Sequence, residues 1–166
     1  MEGSIQTIGP VNRALRKHYM NTGTSEAPVW SPIGEGFTEF TETKHTIRYQ
    51  RRFFHESVTR TDVTGYAPVV EYAFEVYTGG PVIDRLRDIA DRERTGSAAQ
   101  VEICTADLFD EADIPGRYRA SVRTWSVIPD KSGQGTDTLL YTGTLRAVSA
   151  PVTGTFAVSD GTFTEQ

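Results

Sequence analysis

The chain is poor in the residues that usually announce chemistry. A single cysteine, Cys104, in 166 residues excludes an internal disulfide framework. The three histidines, His18, His45 and His55, are scattered without ligand spacing, so no zinc site is expected. No apolar run approaches the roughly 18 residues that a membrane-crossing helix requires, and the opening MEGSIQTIGPVNRALRKHYM lacks the apolar core of a signal peptide. The expectation is a chain made and kept in a cytoplasm-like compartment, with no membrane partner and no cofactor. Basic charge is also scarce. A formal net charge of −5 argues against broad or tight nucleic-acid binding, which depends on Lys and Arg neutralising phosphates.

Nucleotide and catalytic signatures are missing too. Strand, Thr78-Gly79-Gly80-Pro81 and helix superficially resemble a phosphate-binding turn, yet neither glycine-rich consensus is present and Asp84 would repel a phosphate in the first turn. Asp107, Asp110, Glu111 and Asp113 lack the spacing and central glycine of a calcium loop and read as a solvated acidic loop. Arg13, Arg16 and Lys17 read as a solvated basic patch. No motif arranges Ser, His and Asp into a triad, and Cys104 has no recognisable base, so no catalytic, cofactor-binding or metal residue is expected.

What is present is periodicity. Pro81 to Arg94, PVIDRLRDIADRER, places Val82, Leu86 and Ile89 on one helical stripe, widened by Ile83 and Ala90, with charged residues around the rest. Pro81 suits a first turn, and Gly96 offers a stop. These five apolar residues are the expected core-packing face. Elsewhere the pattern alternates with period two. Thr46–Phe54, Val69–Tyr77, Gln100–Cys104, Tyr118–Ile128, Thr138–Val148, Val152–Val158 and Thr162–Thr164 read as strands, with His55–Pro68, Ala106–Gly116 and Pro129–Asp137 as loops. Alternating strands joined by turns imply antiparallel sheets with one wet face. The expected fold is therefore mainly β, a sandwich or barrel with one flanking helix over about residues 81–94. Residues 1–36 show no sustained period and read as an extended N-terminal arm with anchors such as Ile5, Ile8 and Trp30, leaving 37–166 as a single domain.

The polar strand faces are the more informative feature. Arg48, Gln50 and Arg52, Glu71 and Glu75, and Arg119, Ser121 and Arg123 either meet bulk solvent or line an aqueous channel or a subunit joint.

The stretches IGPVNRALRKHYMN from Ile8, SPIGEGFTEFTE from Ser31, RTDVTGYAP from Arg60, YTGGPVIDRLRDIADRERTGSAAQVEI from Tyr77 and GTDTLLYTGTLRAVSAPVTGTFAVSDGTF from Gly135 occur in order along nearly the whole chain. Together they resemble the major tail protein family of long-tailed bacteriophages, the subunits of the tail tube. The resemblance implies a β-sandwich with a flanking helix, assembled with copies of itself into hexameric rings that stack around a channel for the genome. It further implies a virion component made in the bacterial cytoplasm, with tape-measure, tail-terminator and baseplate proteins as partners and only transient passage of DNA. A hairpin over Lys44 to Val69 and an arm over residues 1–30 would reach the next ring. Arg48, Arg52, Phe54, Arg60, Asp62 and Tyr66 are the expected inter-ring contacts, and Glu71, Glu75 and Glu102 the expected lumen-facing residues. A ring-forming tube or terminator protein of a contractile tail or secretion machine, or an unrelated β-sandwich binding module, are the alternatives.

Overall fold

The computed structural model describes residues 8–166, and Met1–Thr7, with the expected anchor Ile5, lie outside the described residues. The fold is mainly β: an antiparallel sheet curls into a half-barrel with one α-helix. Two strands lie where the sequence reads as an extended arm. Strands β1 (Arg16–Asn21) and β2 (Trp30–Ile33) belong to the main sheet, with Met20 only 1% exposed in the core. Their alternation is hidden because β1 carries one fully buried side chain among polar ones and β2 sits at the sheet edge, where Pro32 is tolerated.

Strand β3 (Phe37–Thr43) is followed by β4 (Thr46–Arg51) and β5 (Arg60–Tyr66), then by β6 (Val69–Glu75). These four run as one long antiparallel hairpin in two ladders, each with a bulge of its own and a break between them. Thr43 faces Val69, and three residues further along Thr46 faces Tyr66. At the break His45 takes φ 45°, Pro68 has no N–H to donate, and the Ala67 amide bonds the His45 carbonyl at 3.1 Å. Beyond it, β4 and β5 form a separate two-stranded sheet, the arm. This corrects two expectations. His55–Pro68 is not a loop throughout, since Arg60–Tyr66 is paired, and Thr46–Arg51 has no dry face, since every residue in it is exposed. Backbone pairing alone defines these strands, so no burial pattern marks β5 in the sequence.

Helix α1 (Pro81–Asp91) starts at Pro81 as expected but ends three residues short of Arg94. Glu93 enters the left-handed region at φ 49°, its N–H bonds Ala90 O at 3.3 Å, and the Arg94 N–H bonds Ile89 O at 3.0 Å. That pair of bonds is a Schellman stop, which closes the helix before Gly96 is reached. Val82, Ile83, Leu86 and Ile89 are buried and Ala90 packs against them, so the expected stripe faces the core.

Strand β7 (Gln100–Glu111) and β8 (Arg117–Gln134) are much longer than their apolar cores. Most of the expected acidic loop is strand, because Asp107 still pairs with Arg16 of β1 across the sheet. Strand β8 continues through Pro129 with the help of bulges, and the turn before β9 (Leu140–Ala147) is confined to the residues after Gln134. One edge of β8 pairs with β7. Its other edge pairs first with β10 (Val152–Ala157), which carries β11 (Thr162–Glu165), and then with β9. The main path runs β2-β1-β7-β8-β9-β6-β3.

On the inner face, Met20, Tyr72, Phe74, Ile103, Trp125 and Leu145 meet the helix stripe. Burial of that apolar area, at about 25 cal/mol per Å², is the main term holding helix to sheet. A polar tie adds to it: the Tyr141 hydroxyl donates to Asp91 at 2.8 Å. On the outer face a smaller cluster forms where Tyr19 stacks on Phe156, ring centres 4.4 Å apart, over Cys104, Ala106 and Ala120.

Candidate assembly surfaces

Three polar surfaces emerge from this frame. The first is the arm. It brings all six expected inter-ring residues together, with Arg48, Phe54, Arg60, Asp62 and Tyr66 exposed and Arg52 beside them just beyond β4. Sequence reasoning left out Ile47, Tyr49, Phe53, Val58 and Val63, which are exposed on the same arm. Arg51 spans Tyr49 and Phe53 at 6.0 and 5.5 Å from their ring centres, and the His55 ring lies nearly parallel to that of Phe53. Within residues 44–66 there are five Lys or Arg against two acids, a charge of +3. Since the whole chain carries −5, the remainder carries −8. The signal was present as a local reversal of charge in an acidic chain.

The second surface is the outer face of β6, β9, β8 and β7. Directly opposed residues share a face. Glu71 opposes Thr144, Thr144 opposes Ile128, and four residues back along β8 Thr124 opposes Glu102. Glu71, Glu75 and Glu102 therefore lie on one face, opposite the one that packs Val70, Tyr72 and Phe74 against the helix. Glu39 of β3, opposed to Ala73, joins them and was not anticipated. None of these four carboxylates forms an ion pair among the described residues.

The third lies at the open end of the half-barrel, away from the helix. Arg119, Ser121 and Arg123 share the inner face with Trp125 and line a groove there, Arg119 at 73% exposure, while Arg123 stands 5.6 Å from the Trp125 ring centre. Arg16 holds Asp107 through two bonds of 2.7 and 3.0 Å, so it is no loose member of a basic patch. Beside it, Arg13 lies 3.3 Å from His18 Nε2, and because a guanidinium only donates, Nε2 must accept. The Nδ1–H then donates to Thr105 Oγ1 at 3.0 Å, while Phe40 packs on the ring at 4.6 Å. Burial, reinforced by Arg13 and Arg16, pushes the His18 pKa down to about 4. Cys104 is fully buried, and burial pushes its thiol up to about 12.

Among the described residues no group of three or more His, Cys, Asp or Glu could hold a metal ion, and no helix is long and apolar enough to cross a membrane. No protein-family model and no curated protein matches the chain. Among solved structures it is similar to a chain in the six-fold symmetrised cryo-EM structure of the anti-feeding prophage baseplate, with a TM-score of 0.42 and 12% identity over 83% of this chain and 89% of that one.

Proposed function

We propose that the chain is a structural subunit, without catalytic activity, that assembles with copies of itself into the stacked rings of a phage tail tube. The observation that carries this reading is the arm. A two-stranded hairpin is marginal on its own in water, and this one leaves Ile47, Tyr49, Phe54, Val63 and Tyr66 uncovered. Apolar side chains on both faces of a projecting ladder call for a partner along its length. Opposite net charges on arm and body favour a second copy as that partner, since complementary potentials steer association. Outer edges of β2 and β3 are unpaired among the described residues and offer further joints. The ordered sequence resemblance supplies the tube, its tape-measure, terminator and baseplate partners, and its place in the virion tail.

In this reading the outer sheet face with Glu39, Glu71, Glu75 and Glu102 turns toward the lumen. An acidic wall does not hold phosphates, and so lets DNA pass. Electron microscopy and sedimentation of the purified chain test assembly. Rings or tubes are expected for the native sequence, and loss of stacking with an intact fold for Phe54→Ala combined with Arg48→Glu. A chain that stays monomeric at high concentration, alone and with tail partners added, overturns the proposal.

A further inference from the structure

The groove at the open end of the half-barrel is about 370 Å³ in volume and belongs to neither the arm nor the acidic face. Four cations, Arg16, Lys44, Arg119 and Arg123, share it with three carboxylates. Three of the cations have a carboxylate of their own: Arg16 with Asp107 at 2.7 Å, Lys44 with Glu42 at 2.6 Å, and Arg119 with Asp110 at 3.4 Å. Arg123 is the surplus charge. Its nearest carboxylate atom is Glu42 Oε1 at 3.9 Å, the same atom that Lys44 already holds. The Arg123 Nε is buried and has no acceptor among the described residues, and the side chain is only 15% exposed. A largely buried guanidinium whose Nε finds no acceptor inside the fold is a costly arrangement, and it points to a group from outside.

We propose that this groove binds an oxyanion, a carboxylate or phosphate group, on the guanidinium of Arg123. The planar fork of arginine matches two oxygens of such a group. Trp125 beneath it fixes the plane of approach. A small turn of the guanidinium toward the groove presents Nε together with one Nη. Thr105 adds a donor, because its Oγ1 accepts from His18 and its own proton remains free. Glu42 opposes the anion by charge and sets an upper limit on affinity. The proposal does not depend on the tube, since it needs only one folded chain.

The full chain is titrated with sodium phosphate, and separately with sodium acetate, at constant ionic strength maintained with sodium chloride. Trp125 emission and Tm are followed. A saturable change in emission is expected, with Tm raised by about 3 to 6 °C at roughly ten times Kd. Arg123→Gln abolishes both signals, Arg123→Lys weakens them because it loses the fork, and Glu42→Gln tightens binding several-fold. Preference for phosphate identifies a free dianion as the ligand; acetate binding as well or better identifies the carboxylate of a protein chain. No saturable response, or an unchanged response in Arg123→Gln, overturns the proposal. Should Arg123→Gln fail to fold, unchanged affinity in Glu42→Gln overturns it instead.

Discussion

His18 shows how far a single side chain is governed by contacts distant in sequence. Arg13 precedes it by five residues, but Thr105 and Phe40 reach it only through the folded sheet. Its folded pKa of about 4 lies below the ordinary value near 6.5, so at intermediate pH the unfolded chain takes up a proton that the folded one refuses. The sign follows: stability is intact above about pH 6.5 and is lost as pH falls toward 4, by an amount of the order of 2 kcal/mol. Urea unfolding of the native chain and of His18→Gln between pH 8 and 4 checks this, with the stability gap between them narrowing as pH falls; a constant gap would remove His18 as the cause. Gly143 makes the same point sterically. It takes an inward position between Tyr141 and Leu145, where an added Cβ would meet the Tyr72 hydroxyl at 2.5 Å and Ile128 O at 2.7 Å. Nothing in the local alternation of β9 announces this, because the crowding atoms belong to β6 and β8.

Helix α1 was the most legible element, because a period of 3.6 is written into neighbouring residues and its stripe has to be buried somewhere. Its end was less so. Gly96 looked like the stop, yet Glu93 adopts the left-handed conformation at a real cost for a residue with a Cβ. Glu93→Gly should therefore stabilise the chain by about 1 kcal/mol in chemical denaturation; a loss of stability would show that the Glu93 side chain contributes more than its conformation costs. Strands β6 and β9 were legible for the same reason as the helix, since one of their faces is dry. Strand β4 starts at Thr46 as expected but lacks the expected dry face, and β5 carries no periodic signal, because almost every residue of the two is exposed and backbone pairing alone defines them. In β1 the obstacle was different: a single buried methionine is too little signal to separate a strand from an extended arm.

At the scale of the molecule the distribution of charge matters more than its total. A formal −5 conceals an arm of +3 and a body of −8, and four of the body's carboxylates, Glu39, Glu71, Glu75 and Glu102, share a sheet face that the helix leaves open. If that face lines a channel, Glu71→Lys with Glu75→Lys leaves ring assembly possible, because both residues lie away from the arm, and slows DNA ejection by holding phosphates at the wall. Ejection from intact virions carrying both changes is the measurement, and an unchanged rate would place these residues elsewhere in the assembly.

The sequence alone determined the fold class, the helix with its buried stripe and the charges each segment carries. All of these follow from neighbours a few positions apart, where periodicity and composition act. Tertiary structure decided which face each strand shows, that Glu39, Glu71, Glu75 and Glu102 share one surface, and that Arg123 is left over among paired charges at the open end of the half-barrel. Those outcomes depend on register between strands as much as 91 residues apart, and a one-residue shift in register would have turned each of those side chains to the opposite face.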